Sequence, residues 1–238
     1  MEQTKNSRRL PGRREDGAAT KQHILEAAGE VFAEKGVDGA TGKEIAERAG
    51  TSSAAVNYYF GGIDGLYAEV LVEAHHRLMA YEFLKSVAEA PGSPKARLNL
   101  FIDRVVRTIL EPTSSNWALR VLSREILHRS AAFPVLLEKE IRPKKRIITG
   151  FIGESLGVPP DHPAVSRCLL NIVAPFALLL VGSSKMVVQV VAPESCPARD
   201  GDIDALVEHF QRFVGGGLAA IAAEIGQEKA GASGKTGS

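Results

Sequence analysis

Cysteine is scarce: Cys168 and Cys196 are the two among 238 residues, and no Cys-x-x-Cys pair occurs. A disulfide framework is thereby excluded, and the chain suits a reducing cytoplasm. Cys168 lies inside an apolar run, SRCLLNIVAPFALLLVG, and reads as a core thiol. The six histidines have no zinc spacing, and the adjacent His75 and His76 diverge on a helix, so no metal is expected. An excess of one charge is also missing. Lys and Arg total 29 against 28 Asp and Glu, a net charge of +1. The molecule is no polycation, and nucleic acid must be met through a local patch. Nucleophile motifs and Gly-rich phosphate loops are lacking, which argues against an enzyme and leaves no cofactor to place. The polar, arginine-bearing N-terminus has no apolar signal region. The longest apolar run, around Cys168 to Val181, is interrupted by Asn171 and Pro175. It falls short of the roughly 20 residues that span a bilayer, so a cytoplasmic protein without membrane contact is expected.

Strand alternation is absent as well, and helical periodicity dominates. Residues 1–17 are polar and aperiodic, a basic arm expected to be disordered, and residues 226–238 form a Gly/Ser/Lys tail expected to be flexible. Between them the fold class is all-α. A first helix is predicted from about Ala18 to Glu34, with Ile24, Leu25, Ala28, Val31 and Phe32 on one side and Gly36 as its stop. A second opens at Thr41, where Thr41 and Glu44 form a capping box, and ends at Gly50. A third runs from Ser52 to about Tyr59, and a fourth from Asp64 to about Lys85 with a break inside it. Beyond the Pro91–Pro94 boundary, helices are predicted over 95–110, 116–128, 134–156, 163–189 and 202–225. Domain limits follow at 18–66 and 67–225.

The stretch TGKEIAERAGTSSAAVNYYF carries the strongest local signal. Ile45, Ala46 and Ala49 form an apolar face, and small Ala46 lets another helix cross closely. Gly50 supplies a left-handed turn, Ser52 caps the next helix, and Val56 and Phe60 return to the core. A steep crossing through a short Gly turn is a helix-turn-helix. Its second helix then exposes Ser53, Ala54, Asn57 and Tyr58, with no acid among them. Such a helix suits a major groove: Asn bonds an adenine edge, small residues clear thymine methyls, and Tyr reaches phosphate. The same pattern also recurs in proteins that bind no DNA.

From Thr20 to Leu71 the chain shows IL-x-AA-x-x-x-F-x-x-x-G, then T-x-x-x-IA-x-x-AG-x-S, then YYF, then L-Y. In this it resembles the N-terminal domain of the TetR family of bacterial transcriptional regulators. The resemblance implies a three-helix helix-turn-helix domain followed by a larger helical domain for ligand binding and dimerisation. It implies that Thr41 and Lys43 touch phosphates, that Ser53, Ala54, Asn57 and Tyr58 read bases, that Tyr59 meets phosphate, and that Ala55 sometimes adds a base contact; Ser52, at the cap, completes the candidate set. Two positions depart from the pattern. Gly42 stands where Ser, Thr or Val is usual, and Ile63 where a Lys is usual. Between Ala18 and Leu66 four cations face seven carboxylates, an acidic balance for such a domain. Lys5, Arg8, Arg9, Arg13 and Arg14 in the preceding arm offer compensation along the minor groove or backbone; a solvated tail is the alternative.

The C-terminal half, with FPVLLEKEIRPKKRII and a final HFQRFVGGGL, is similar to the CecR-like branch of that family. Ile203, Leu206, Val207, Phe210, Val214, Leu218 and Ile221 repeat at helical spacing, as do the apolar residues from Pro163 to Gly182, and the family pairs such helices into a C2 dimer. Either stripe alone is equally a core face. For an effector pocket, Trp117, Arg120, Arg124 and His128 share one face of a helix, with Phe101, Arg104 and Phe176 as neighbours. The expected function is a ligand-responsive repressor that binds a palindromic double-stranded DNA operator as a homodimer and senses a small-molecule effector. The alternative is a helical adaptor with weak or lost DNA binding.

Overall fold

The computed structural model describes residues 12–111, 117–181 and 203–235, which form helices and the turns between them. Contacts divide the chain into two compact units, Met1–Val70 and Leu71–Ser238.

The first unit holds α1 (Gly12–Gly39), α2 (Gly42–Arg48), α3 (Ser53–Phe60) and the opening of α4 (Ile63–Leu78). Residues 12–17, assigned by sequence to a disordered arm, are helical. Arg13, Arg14 and Glu15 are straight-chain helix formers, but without an apolar partner in their register they leave no periodic trace. The rest of the arm lies outside the described residues. At Gly36 (φ 75°, ψ 175°) the regular winding of α1 breaks, as its glycine foretells, though a last turn continues to Gly39. Ile24, Ala28, Val31 and Phe32 of α1, Ile45 and Ala46 of α2, Val56 and Phe60 of α3 and Leu66, Tyr67 and Val70 of α4 make one core. Phe32 and Tyr67 meet edge to face at 4.9 Å.

The α2–α3 turn is closed by backbone bonds. Gly50 sits at φ 64°, Thr51 N donates to Ala46 O at 2.9 Å, and Gly50 N donates to Glu47 O at 3.2 Å. This is a Schellman closure, and it needs a residue that tolerates the left-handed region. Gly61, at φ 73°, ends α3 with the simpler left-handed closure, a single bond from its N to Asn57 O at 2.9 Å.

The second unit contains the rest of α4, then α5 (Tyr81–Glu89), α6 (Pro94–Leu110), α7 (Trp117–Leu127), α8 (Phe133–Leu136), a π-helical turn (Leu137–Ile141), α9 (Arg142–Leu156), α10 (Pro163–Val181) and α11 (Ile203–Lys235). The break expected within 64–85 falls at Met79–Ala80, where Ala80 is extended. The single helix predicted over 134–156 is wound as three segments. Pro143 has no N–H to return to the preceding turn, and just upstream the ladder slips one residue, so that Arg142 N donates to Leu137 O. Residues 182–189, predicted to extend α10, lie outside the described residues, as does Cys196. Residues 226–235, predicted as flexible tail, continue α11, and Lys229 Nζ donates to Gly157 O at 3.0 Å.

The core of this unit gathers Leu84, Leu98, Phe101, Ile102, Val106, Ile152, Val165, Cys168, Ile172 and Phe176. Cys168 is buried as expected, which pushes its thiol pKa up. α11 is tied down by the Arg107–Asp204 ion pair and by Gln211 Nε2 donating to Asn99 O at 3.1 Å. Contrary to the sequence expectation, α10 is long and apolar enough to cross a membrane by length and composition, with 19 residues and a mean hydropathy of 2.0. One of its faces, however, Val165, Cys168, Ile172 and Phe176, is core of this unit.

Candidate functional site

In the first unit, cap chemistry decides which hydroxyls stand where. Thr41 Oγ1 accepts from Glu44 N at 3.2 Å and starts α2, while Ser52 Oγ accepts from Ala55 N at 3.3 Å and starts α3. Both oxygens are committed to the backbone, which fixes the hydroxyls at the helix ends. The reciprocal half of the capping box is replaced, because the Glu44 carboxylate accepts instead from Lys35 Nζ at 2.7 Å.

Four predicted base-reading residues, Ser53, Ala54, Asn57 and Tyr58, lie together on the exposed side of α3, and Tyr58 is 82% exposed. Ala55 and Tyr59 are half-buried, and Val56 and Phe60 are inside. Tyr59 packs edge-on between Tyr58 (5.0 Å) and Phe60 (6.5 Å), and its hydroxyl lies against Gly17 of α1, where an added Cβ would come within 3.3 Å of it. Lys43 is exposed, 3.9 Å from Glu47.

The excess of carboxylates has a structural use. Arg48 donates to both oxygens of Glu34, at 2.9 and 3.1 Å, and sits 3.8 Å from Glu30 and 3.9 Å from Glu44. Lys35 and Arg48 thus gather Glu30, Glu34 and Glu44 into an α1–α2 network. No acid lies on α3.

The second unit holds a half-open cavity of about 530 Å³, whose rim includes the exposed Leu170 and Val173 of α10, within the range of small-molecule sites. Its walls are apolar: Leu78, Met79, Phe101, Val105, Leu122, Phe133, Ile148, Leu169 and Phe176 among others. Phe101 and Phe176 meet edge to face at 5.9 Å. Of the seven residues predicted for an effector pocket, these two line it; the other five do not. Trp117 is buried in the core with the Arg77 guanidinium 4.6 Å from its ring centre. Arg120 and Arg124 of α7, and His128 just beyond its end, are exposed. Arg104 is exposed, 5.5 Å from the ring centre of Phe83. The α7 face turned to the cavity is Leu122, Glu125 and Ile126. Amphipathic α7 buries its apolar side, so its cations face water.

Sequence reasoning missed a charged cluster in the cavity wall. Lys144, 3% exposed, donates from Nζ to His75 Nδ1 at 3.0 Å, to His75 O at 3.3 Å and to Glu140 Oε2. Glu140 Oε2 is also 3.5 Å from His75 Nδ1. Burial pushes the imidazole below its ordinary 6.5. Burial also lowers the Lys144 ammonium, against the hydrogen bond from Glu140. For Glu140 burial acts to raise the carboxyl, but the neighbouring His75 and Lys144 outweigh it and hold it below the usual range. The available signal was Pro143 inside an otherwise helical pattern, immediately before two lysines. Glu125, also in the wall, accepts from Ser130 N at 3.0 Å and from Ser130 Oγ at 3.1 Å. Among the described residues no group of three His, Cys, Asp or Glu could hold a metal.

Comparison with known proteins places both halves. Residues 24–70 match the family described as bacterial regulatory proteins, tetR family, and residues 94–218 match the C-terminal domain of the HTH-type transcriptional dual regulator CecR. The chain is 29% identical over 150 residues to CecR of Shigella flexneri, covering 59% of this chain and 66% of that protein. It is 28% identical over 116 residues to the regulator AcrR of the same organism, spanning 49% of this chain and 52% of the relative. The chain therefore matches between half and two thirds of the length of these relatives. Two solved structures share the fold: the fatty acid degradation regulator FadR of Bacillus halodurans (TM-score 0.62, 15% identity, 82% of this chain and 98% of that one) and the transcriptional regulator FadR of Bacillus subtilis in complex with stearoyl-CoA (TM-score 0.60, 16% identity, 81% and 96%). With the N-terminal pattern and more than half of the chain matched in order, this protein belongs to the TetR family of bacterial regulatory proteins, in its CecR branch.

Proposed function

We propose that this chain is a ligand-responsive transcriptional repressor that binds a palindromic operator as a homodimer. The observation that carries the reading is the α3 surface: Ser53, Ala54, Asn57 and Tyr58 stand exposed on a short helix that is capped, acid-free and fixed by a Schellman turn. Asn57 suits an adenine edge, and Thr41, Lys43 and Tyr59 suit the phosphates on either side. Lys43 and the α3 tip remain open to the duplex, because Arg48 and Lys35 hold three of the carboxylates in their own network. That network weakens the adaptor alternative, which drew its support from the acidic balance. Residues of the basic arm, where they reach the duplex, add affinity without sequence preference.

Self-association is supported by apolar residues left in water. Leu170, Val173 and Leu178 on α10 and Phe213 on α11 are exposed, Leu170 and Phe213 at 68% and 71%. Phe213 shares its face with Gly216, Gly217 and Ala220, small enough for another helix to lie close. A second copy covering both faces produces a C2 dimer whose two α3 helices enter major grooves about 34 Å apart. The effector site is the apolar cavity, and occupancy favours a dimer geometry that no longer matches successive grooves. A mobility-shift titration with the DNA flanking the gene tests the proposal. Wild type retards one fragment specifically, and replacing Asn57 and Tyr58 with alanine weakens retention by about 1–3 kcal/mol at each half-site. Undiminished retention by that double variant removes α3 from the interface.

A further inference from the structure

The cavity is apolar except for one cluster, and the bookkeeping of that cluster's hydrogen bonds singles out one atom. Lys144 spends its three N–H donors on His75 Nδ1, His75 O and Glu140. With Lys144 as an ammonium, which can only donate, Nδ1 accepts there, and the proton of the neutral imidazole is assigned to Nε2. Nε2–H has no hydrogen-bond partner among the described residues, yet the side chain belongs to the cavity wall. No side-chain nitrogen or oxygen among the described residues is both buried and without a partner, so this N–H is an accessible donor, and an occupant that displaces water from it must bring an acceptor. A cationic head would meet N–H groups and the Lys144 charge instead. Unaided, the cluster resists a further proton, because burial and the Lys144 charge both lower the imidazole. With neutral His75 its charge is zero, Lys144 against Glu140, and Glu140 Oε2 already lies 3.5 Å from Nδ1, placed to accept from it once it is protonated. An incoming anion would balance the added charge.

We infer that the cavity takes an elongated apolar molecule ending in a single carboxylate, which accepts from His75 Nε2–H and whose arrival brings a proton onto the imidazole. This deepens the effector-site reading above and depends on it for its regulatory meaning. The charged and titratable groups around His75 are His76 on α4, Glu82 on α5 acting through Lys144, Glu125 on α7 held by Ser130, Glu140 in the π turn, and Lys144 and Lys145 on α9. In the empty protein His75 is neutral at pH 7, since burial holds it below 6.5. A bound carboxylate raises it. Affinity therefore falls as pH rises, by up to about tenfold per pH unit, between the empty and the occupied values.

Calorimetric titration of the full chain with decanoate, 1-decanol and decyltrimethylammonium, at about pH 6 and about pH 8 and in two buffers of different ionisation enthalpy, tests this. The expected result is decanoate binding at least about tenfold more tightly than the other two at the lower pH, with close to one proton taken up per ligand. His75→Gln should keep decanol binding and lose the proton uptake. The wild-type buffer comparison stands by itself if that variant fails to fold. Decanol binding as well as decanoate, absence of decanoate binding, or proton uptake surviving in His75→Gln (the ligand's own carboxyl then carrying it) each overturns the inference. A mobility shift on the same samples separates the two readings. Decanoate bound with proton uptake but operator retention unchanged keeps this inference and sinks ligand-responsive repression. Operator release by a small molecule that lacks an acid, with decanoate inert, does the reverse.

Discussion

The two units place their polar groups in opposite ways. In Met1–Val70 the hydroxyls and carboxylates lie at helix ends and on the surface, bonded to backbone a few residues away or to neighbouring cations. Among the described residues its interior is made of apolar side chains and the Tyr67 ring. In Leu71–Ser238 an ammonium, a carboxylate and an imidazole are enclosed beside an apolar void. Local capping stabilises a fixed shape and leaves nothing to respond. A buried charged cluster is costly to assemble and depends on every one of its partners. The difference fits the proposed division of labour, in which the surface of the first unit would read DNA and the cavity of the second would take an effector.

The comparison breaks most severely if neither unit acts alone. Leu170→Glu, which places a charge in the exposed stripe of α10, is expected to leave the protein folded and monomeric by analytical ultracentrifugation. Operator affinity should then drop by about 10²–10⁴, the avidity lost with the second half-site. An unchanged dimer would put the interface elsewhere.

Glu140→Gln tests the buried cluster itself. Lys144 is left without its anion, and the second unit should lose about 3 kcal/mol in urea unfolding, whereas the melting of the first unit is untouched. The pH profile sharpens the point. Glu140 sits below the ordinary carboxylate range when folded, so its stabilisation is complete above that range and is lost as pH falls through the folded value. His75, also lowered, adds an earlier decline below about pH 6.5, because the unfolded chain binds a proton the folded protein refuses. Glu140→Gln should remove the lower step and keep the upper one.

Gly65→Ala tests the first unit. Alanine in a helix is ordinarily favoured over glycine by about 1 kcal/mol. Here the new Cβ would lie 2.0 Å from the Phe60 carbonyl oxygen, so overcrowding wins and the unit should lose about 1–3 kcal/mol, read as an earlier thermal transition. The smallest effect belongs to Lys43→Ala. With Lys43 and Glu47 both exposed at 3.9 Å, stability should hardly move. The dependence of log affinity on log salt should flatten by about 1 per half-site.

The first unit was legible because its signals are short-range. A cap and the amide it satisfies are three residues apart, Gly50 and Gly61 announce left-handed turns, and Val56 and Phe60 point inward by simple spacing. The cavity proposed as effector site was not, because it depends on the meeting of distant residues. Trp117, Arg120, Arg124 and His128 do fall in one helical register, but register does not say which side faces the void. Trp117 went to the core and the cations to water, while Leu122 and Ile126 lined the wall. His75 and Lys144, 69 positions apart in sequence, share no pattern at all. The helical state of residues 12–17 and 226–235 was missed for a different reason, since neither stretch has an apolar face to repeat.

The π turn at Leu137–Ile141 also constrains how this gene can change. Its wide turn holds one residue more than regular winding would, since Arg142 N reaches back five positions to Leu137 O. Deleting one codon at 137, 138 or 139 would let ordinary winding resume with the flanking segments still in line, and Glu140 and Lys144, four positions apart, would keep their pair. Deleting Glu140 itself would leave the ammonium without its anion.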